Sequence, residues 1–362
     1  MTRDRDSALL RVLAWPGPGA RAKNPYTWLL YSHLTPLGVQ ARDFTPSRAL
    51  RGGYDVLHVH WPEKALTANK YLGRVGGAVA GLAVLDAAHL HGATVVWTAH
   101  NARPHEAKDR ALERWFWSGV VRRVDAVIHP SLAGKGAVET RYPALARRPH
   151  AVVRLGHFRG SYPNHLTREE ARAGLAIPGD ARVLTFVGLV RPYKNVPHLI
   201  RIVRSLPPEA PIVLLVAGAP LTPALAADVR AAAGDDARVR LTLHHVSDED
   251  MQRYLLAADL VVLPFTDITN SGSALLALSF DRPVLVPGMG AMGELQSLVG
   301  PEWVRTYEGE LGGSTLTDAL AWAQRARGRS PDLGALDWEV IARETHALYQ
   351  AAAARRQGQP GT

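Results

Sequence analysis

An α/β fold of two doubly wound domains facing across a cleft is predicted by three observations. Apolar, strand-like runs alternate with stretches of helical periodicity. The alternation occurs twice within the 362 residues. A glycine- and proline-rich break, "RLGHFRGSYPNHLTREEARAGLAIPGD" (154–180), separates the two sets. Strands that alternate with helices imply a parallel sheet covered on both faces.

In the first set the strand-like runs are "LLRVLAW" (9–15), "YDVLHVHW" (54–61), "ATVVWTAHN" (93–101) and "VDAVIHPS" (124–131). Helical stretches such as "PYTWLLYSHLTPLG" (25–38) and "AKDRALERWFWSGVVRRV" (107–124) lie between them. The second set reads "VLTFVGL" (183–189), "PIVLLVAG" (211–218), "VRLTLHH" (239–245), "LVVLPF" (260–265) and "PVLVPG" (283–288). Helices are expected over 195–206, 222–233, 248–257 and 271–280. Ser247 opens "SDED", with Asp250 placed to complete a cap, so these acids read as capping and dipole complement, not as metal ligands. The expected organisation is a first domain over 1–160 and a second over 161–336. A helix over 337–356 would return to the first domain, leaving a disordered tail at 357–362.

Composition narrows the chemistry. The chain has no cysteine, which excludes disulfides and thiolate metal sites and suits a reducing cytoplasm. Its opening, "MTRDRDSALLRVLAWPG", lacks the layout of a signal peptide. The most apolar stretch, "VGGAVAGLAVLDAAHL", is interrupted by Asp86 and reads as a buried helix rather than a membrane span. Charge is uneven: residues 1–160 carry 23 Lys and Arg against 11 Asp and Glu, whereas 161–362 carry 19 against 22. A basic first half suggests an anionic partner: nucleic acid, a phosphorylated acceptor or a membrane surface. The aromatic and basic stretch "ERWFWSGVVRR" (113–123), with Lys108 and Arg110, would meet anionic headgroups on the inner face of the membrane. Trp115, Phe116 and Trp117 cannot all face one side of a helix, so at least one belongs to the core. A nucleic-acid partner is not expected, because no recognised motif accompanies the charge and the second half carries no net positive charge.

Ligands in open parallel sheets bind beyond the carboxyl ends of the strands. In the first half those ends carry Asn24, Tyr26, His60, Trp61, Glu63, His100, Asn101, His105, Glu106 and His129. His100 and Asn101 end the central run and form the preferred pair. No HExxH or comparable metal spacing occurs, and no metal or cofactor is expected. In the second half "LTFVGLVRPYKN" (184–195) ends an apolar run at Gly188 and then supplies Tyr193 and the cations Arg191 and Lys194. Gly188 permits close backbone approach, and the cations suit a diphosphate. "DITNSGSALLALS" (267–279) places Asn270, Ser271, Gly272 and Ser273 at a helix start, where amides and hydroxyls can meet an anion. Neither a Walker A loop nor a GxGxxG turn is present, which argues against an NTPase or a dinucleotide oxidoreductase.

These motifs resemble the GT-B glycosyltransferases, and the chain looks similar to the large family-4 group over nearly its whole length. The likeness is carried by "VGLVRPYKNVPHLI", "AADLVVLPF", "SGSALLALSFDRPVLVPGMGAMGEL", "RLGHFRGSYP" and "VVWTAHN". It implies two Rossmann-like domains, an N-terminal one for the acceptor and a C-terminal one for a nucleotide sugar. Arg191 and Lys194 would grip the donor diphosphate, His100 would serve the active site, and Glu294 would lie beside the donor. The family's two glutamates fall at Ile268 and Leu276, so both carboxylates are missing, and the arginine stands three residues after Gly188 instead of directly after it. The pattern resembles a subgroup of bacterial exopolysaccharide or glycolipid transferases, some of which use GDP-mannose. The resemblance therefore implies metal-independent transfer of a hexose from GDP-mannose or a UDP-sugar to a saccharide or lipid-linked hydroxyl. Glu63 or Glu106 would act as base if configuration inverts. The alternatives are a catalytically inactive partner subunit of the same shape, which the missing glutamates raise, and a basic nucleic-acid-binding protein, which the charge of the first half raises.

Overall fold

The computed structural model describes residues 9–21, 25–68, 70–101, 110–325 and 327–357. Asn24, His105, Glu106 and Lys108, expected near the site, and the tail beyond Gln357 lie outside the described residues. The chain forms two compact units, Met1–Gly156 with Leu336–Thr362, and His157–Ala335.

The first unit begins with β1 (Leu10–Trp15), α1 (Pro25–Leu34), β2 (Val39–Asp43), α2 (Pro46–Arg51) and β3 (Val56–Val59). It continues with α3 (Tyr71–Leu90), β4 (Thr94–Thr98), α4 (Arg110–Arg123), β5 (Ala126–His129), α5 (Leu132–Arg141) and β6 (His150–Val152). Its six strands are parallel in the order β2-β1-β3-β4-β5-β6. β3, β4 and β5 are buried on both faces, which is why they read as uninterrupted apolar runs. One face, with Leu57, Val59, Val95, Trp97 and Val127, packs beneath α3 and α4. The opposite face carries His58, His60 and Thr98.

The second unit contains α6 (Arg168–Gly174), β7 (Arg182–Val187), α7 (Val196–Ser205), β8 (Ile212–Ala217), α8 (Pro223–Ala233) and β9 (Val239–Thr242). Then come α9 (Asp248–Ala257), β10 (Leu260–Val262), α10 (Gly272–Ser279), β11 (Val284–Pro287), α11 (Met292–Val299), β12 (Val304–Tyr307) and α12 (Gly313–Ala323). Its parallel order is β12-β11-β10-β7-β8-β9. The chain builds outward from β7 through β8 and β9, then crosses to the other side of β7 with β10. The gap between the ends of β7 and β10 is therefore the switch point at which such sheets hold ligands. The expected cap of α9 is present: Ser247 Oγ accepts from the Asp250 amide at 3.0 Å.

The last helix, α13 (Trp338–Gln357), belongs to the first unit, and Gln357, expected in the tail, closes it. It is fixed at one end by Arg356, which donates to Asp125 at 3.1 Å, and midway by Tyr349, whose hydroxyl lies 2.6 Å from His58 Nδ1.

Two expectations need correction. The strands missing from the sequence reading are β2, β6 and β12, each at the edge of its sheet. The apolar helix is α3, and it is not buried throughout: Leu72, Val79 and Leu90 are 81%, 52% and 87% exposed. It is long and apolar enough to cross a membrane, yet its inner side packs into the first unit's core.

Candidate active site

The cationic site of the second unit is built from the chain that leaves β7. After Gly188, Val190 stays extended, with its amide donating to the Ala219 carbonyl at 2.9 Å and its own carbonyl accepting from Leu221. This extension explains why Arg191 stands further from the glycine than in the family pattern. The chain then reverses in a 3-10 turn, Pro192–Lys194, that ends on Asn195 in the left-handed region at φ 52°. The reversal returns Lys194 to Gly188. A Cβ on Gly188 would lie 3.4 Å from Lys194 Nζ and 3.2 Å from Ser273 Oγ, and φ at this glycine is +118°. Crowding and backbone conformation thus both demand glycine here.

Lys194 is only 8% exposed. Its Nζ sits 5.6 Å from the Phe186 ring centroid and 5.7 Å from that of Phe265. Burial, and then the neighbouring Arg191, push its pKa down to about 8. Among the described residues it has no carboxylate partner. A buried ammonium supported only by aromatic faces is poised to receive an anion.

α10 supplies the amides. Ser271 is its N-cap, with Oγ accepting from the Ala274 amide at 3.1 Å, so that oxygen is committed to capping. The amides of Gly272 and Ser273 lie in the first turn, where no intrahelical carbonyl can reach them, at the positive end of the helix dipole. The turn bearing Arg191 and Lys194 is tied to the end of β10, because the Tyr193 carbonyl accepts from the Thr266 amide at 2.8 Å. The Tyr193 ring meets Phe265 edge-on at 6.0 Å, which makes Tyr193 a brace between the two loops. Asn270, half-buried, precedes the cap. Glu294 is half-buried in the first turn of α11, where an acid complements the helix dipole. Ile268 and Leu276, which stand where the family has its carboxylates, are both buried.

The first unit holds a cluster of histidines at the ends of β3 and β4. His60 Nδ1 lies 3.3 Å from His100 Nε2, and His60 Nε2 lies 3.0 Å from the Tyr31 hydroxyl. Tyr31 also reaches His58 Nδ1 at 2.9 Å, while His58 Nε2 meets Thr98 Oγ1 at 2.7 Å. Burial holds all three imidazoles well below the usual histidine range, His58 and His100 at about 3. They are neutral at pH 7 and act through hydrogen bonds rather than as cations. Trp61 stacks on His100 at 4.5 Å and 14°, and Lys64 Nζ lies 4.6 Å from the Trp61 ring centroid. Tyr26, edge-on to His60, His100 and Trp338, is a buried wall of the cluster, not an exposed contact. His60 is likewise buried beneath His100.

Asn101, half-buried, follows His100. Glu63 is half-buried in the 3-10 turn Pro62–Leu66, and burial raises its pKa to about 7. His129, expected on the same rim, is instead buried on the other face, since Thr98 pairs with Ile128 and leaves His129 out of phase. Sequence reasoning missed His58, Tyr31 and Tyr349. The two-residue spacing of His58 and His60 on one strand, matched by Thr98 and His100 on the next, was the available signal. Among the described residues no group of three His, Asp or Glu side chains is placed to hold a metal ion.

Residues 181–302, the segment that holds the cationic site, match the family model described as glycosyl transferases group 1. Over 330 residues the chain is 36% identical to the GDP-mannose:glycolipid 4-beta-D-mannosyltransferase of Xanthomonas campestris pv. campestris, covering 90% of this chain and 88% of that one. The chain belongs to the group 1 glycosyltransferases. A more distant relative of this transferase is the alpha-maltose-1-phosphate synthase of Mycolicibacterium smegmatis, 28% identical over 76% of this chain and 77% of that one. Two solved structures share the GT-B fold. Sucrose-phosphate synthase from Thermosynechococcus elongatus has a TM-score of 0.68 at 17% identity, covering 96% of this chain and all of that one. Anabaena HepE, solved with UDP and glucose, has a TM-score of 0.63 at 15% identity, covering 97% and 100%. The protein is thus a GT-B transferase acting on nucleotide sugars.

Proposed function

We propose that this transferase moves mannose from GDP-mannose to a hydroxyl of a lipid-borne saccharide, with inversion and without a metal, as a peripheral protein on the cytoplasmic face of a membrane. The observation that carries the reading is the buried Lys194 beside Gly188 and the leading amides of α10. The name of the Xanthomonas relative supplies the donor, the glycolipid acceptor and the β linkage.

In the reaction the acceptor oxygen bonds to the anomeric carbon as the bond from that carbon to the diphosphate breaks. Negative charge grows on the departing phosphate oxygen. Lys194, Arg191 and the Gly272 and Ser273 amides are assigned to stabilise it through charges and dipoles fixed before the reaction begins. Cations of the chain itself then do the work a divalent metal does elsewhere. GDP-mannose carries its sugar in the α configuration, so a β product requires attack from the opposite face and a base for the acceptor proton. Glu63 is assigned that role, because a carboxyl with a pKa of about 7 is a competent base near neutrality. His100 is assigned as a neutral hydrogen-bonding group to the sugar or the incoming hydroxyl. With both family carboxylates absent, the ribose must be held by other groups.

The test is incubation of the purified protein with GDP-mannose or UDP-glucose and a membrane extract of glycolipids, with the new anomeric configuration read by NMR. A β-mannosyl product from GDP-mannose is expected. Transfer from UDP-glucose alone, or an α product, would overturn the donor and inversion assignments respectively.

A further inference from the structure

α3 has the length and composition of a membrane span, yet only 39% of its apolar window is buried in the fold. Its two sides differ. Gly77 and Gly81, four residues apart, admit the turn Pro62–Leu66: a Cβ on Gly77 would strike the Ala65 carbonyl, and one on Gly81 would lie 3.2 Å from Ala65 Cβ. α4 is drawn equally close, with Gly119 facing Leu82 and Phe116 facing Gly81. In an apolar helix such glycine spacing commonly serves helix pairing, but here the fold itself uses that side. Among the described residues the outward side has no such neighbour. Leu72, Gly76, Val79 and Ala83 recur along it at three- and four-residue intervals, Leu90 follows two turns on beyond Asp86, and Val79 and Leu90 are more than half exposed.

α4 covers the same face of the sheet and adds Trp115, 47% exposed, while Phe116 and Trp117 enter the core. Exposed Arg110, Arg114 and Arg122 accompany Trp115. Acids on the two helices are few. Asp86 is taken by Arg123, at 2.6 Å, and Glu113 lies in the first turn of α4. None of the three exposed arginines is paired with a carboxylate among the described residues.

We propose that the outward sides of α3 and α4 form a docking surface for an anionic lipid bilayer, with α3 lying along the interface and not crossing it. Spanning would pull Ala78, Leu82, Leu85 and Ala88 out of the first unit's core and break the Asp86–Arg123 pair. Lying flat keeps both and still removes Leu72, Val79 and Trp115 from water. Unneutralised arginines beside apolar side chains complement phosphate headgroups, whereas a second copy would bring like charges together. α3 also starts just beyond the turn that bears Glu63, and it belongs to the same unit as the histidine cluster. The proposal rests on the reading of a lipid-borne acceptor for its purpose, not for its geometry.

The test is sedimentation of the full chain with vesicles of phosphatidylcholine alone or mixed equally with phosphatidylglycerol. The variants are Leu72→Glu with Val79→Glu, and Arg114→Glu with Arg122→Glu, each checked for folding by circular dichroism. Binding is expected only to the anionic vesicles, to weaken with salt, and to fall about tenfold or more in either double variant. Absence of vesicle binding by the parent protein, or undiminished binding by Leu72→Glu with Val79→Glu, would overturn the proposal. So would a lipid-free dimer that the same substitutions dissociate, which would mean that a second copy covers this face. Thermal shift by GDP-mannose, measured on the same samples, is expected to be unchanged. Its absence in the parent protein would sink the donor assignment while leaving the docking result intact.

Discussion

Lys194→Met removes a charge from between two aromatic rings while keeping a side chain of comparable length. Burial lowers the ammonium pKa from its ordinary 10.5 to about 8. Because the folded value is below the unfolded one, the unfolded chain holds more protons between about pH 8 and 10.5, and stability rises with pH across that window. Below pH 8 the penalty is fully present, at most about 3 kcal/mol. The aromatic faces and local relaxation accompany both forms, so about 1–2 kcal/mol of relief is a reasonable expectation for methionine. For a unit of this size that raises the midpoint of the ligand-free protein by about 3–6 °C. Turnover should move the opposite way, with kcat/KM about 10²–10³ lower, as when one preorganised donor to a developing anion is lost. Differential scanning fluorimetry with and without GDP, together with initial rates, reads both quantities. A variant that is less stable than the parent without ligand, or that keeps its full GDP-induced shift, would refute the reasoning.

Gly188→Ala should weaken the nucleotide-induced thermal shift and lower stability by about 1–2 kcal/mol, since the new methyl meets Ser273 and Lys194 on a backbone that disfavours it; a wild-type shift would contradict the packing argument. Above about pH 8 kcat/KM should fall, as the Lys194 ammonium of the free enzyme loses its proton; below pH 7 its profile should rise about tenfold per unit toward neutrality, because the Glu63 carboxyl must lose its proton to act and its pKa is about 7. Glu63→Gln should remove that limb along with most activity. A limb that persists in Glu63→Gln would assign the base elsewhere.

The sequence made the interior of both sheets legible and left their rims obscure. β3, β4, β7 and β8 are covered on both faces and therefore read as unbroken apolar runs. β2, β6 and β12 are edge strands, short or half-solvated, and "VQARD" or "VRTY" offers no such run. The cationic site was readable because its parts are local: a glycine at a strand end, two cations within one turn, and a helix start. The exchange of roles between Ser271, which caps, and Ser273, which lies beside Gly188, needed coordinates. The histidine cluster was half readable. His60 and His100 end their strands, but His58 lies inside β3 and is joined to Tyr31 and to Tyr349 from the far end of the chain. Separations of that kind leave no mark in any local window. α3 is obscure for a related reason: apolar composition does not report burial, and its leucines divide between the core, with Leu82 and Leu85, and the outward side, with Leu72 and Leu90.

The central claim is that Lys194 receives the donor diphosphate. Calorimetric titration of GDP-mannose at pH 8, repeated in buffers of different ionisation enthalpy, tests it directly, because the sugar diphosphate itself does not titrate there. A phosphate against Nζ should return the ammonium pKa toward 10.5, so binding should take up about half a proton per site. Binding with no proton uptake would place the diphosphate away from Lys194 and contradict the account.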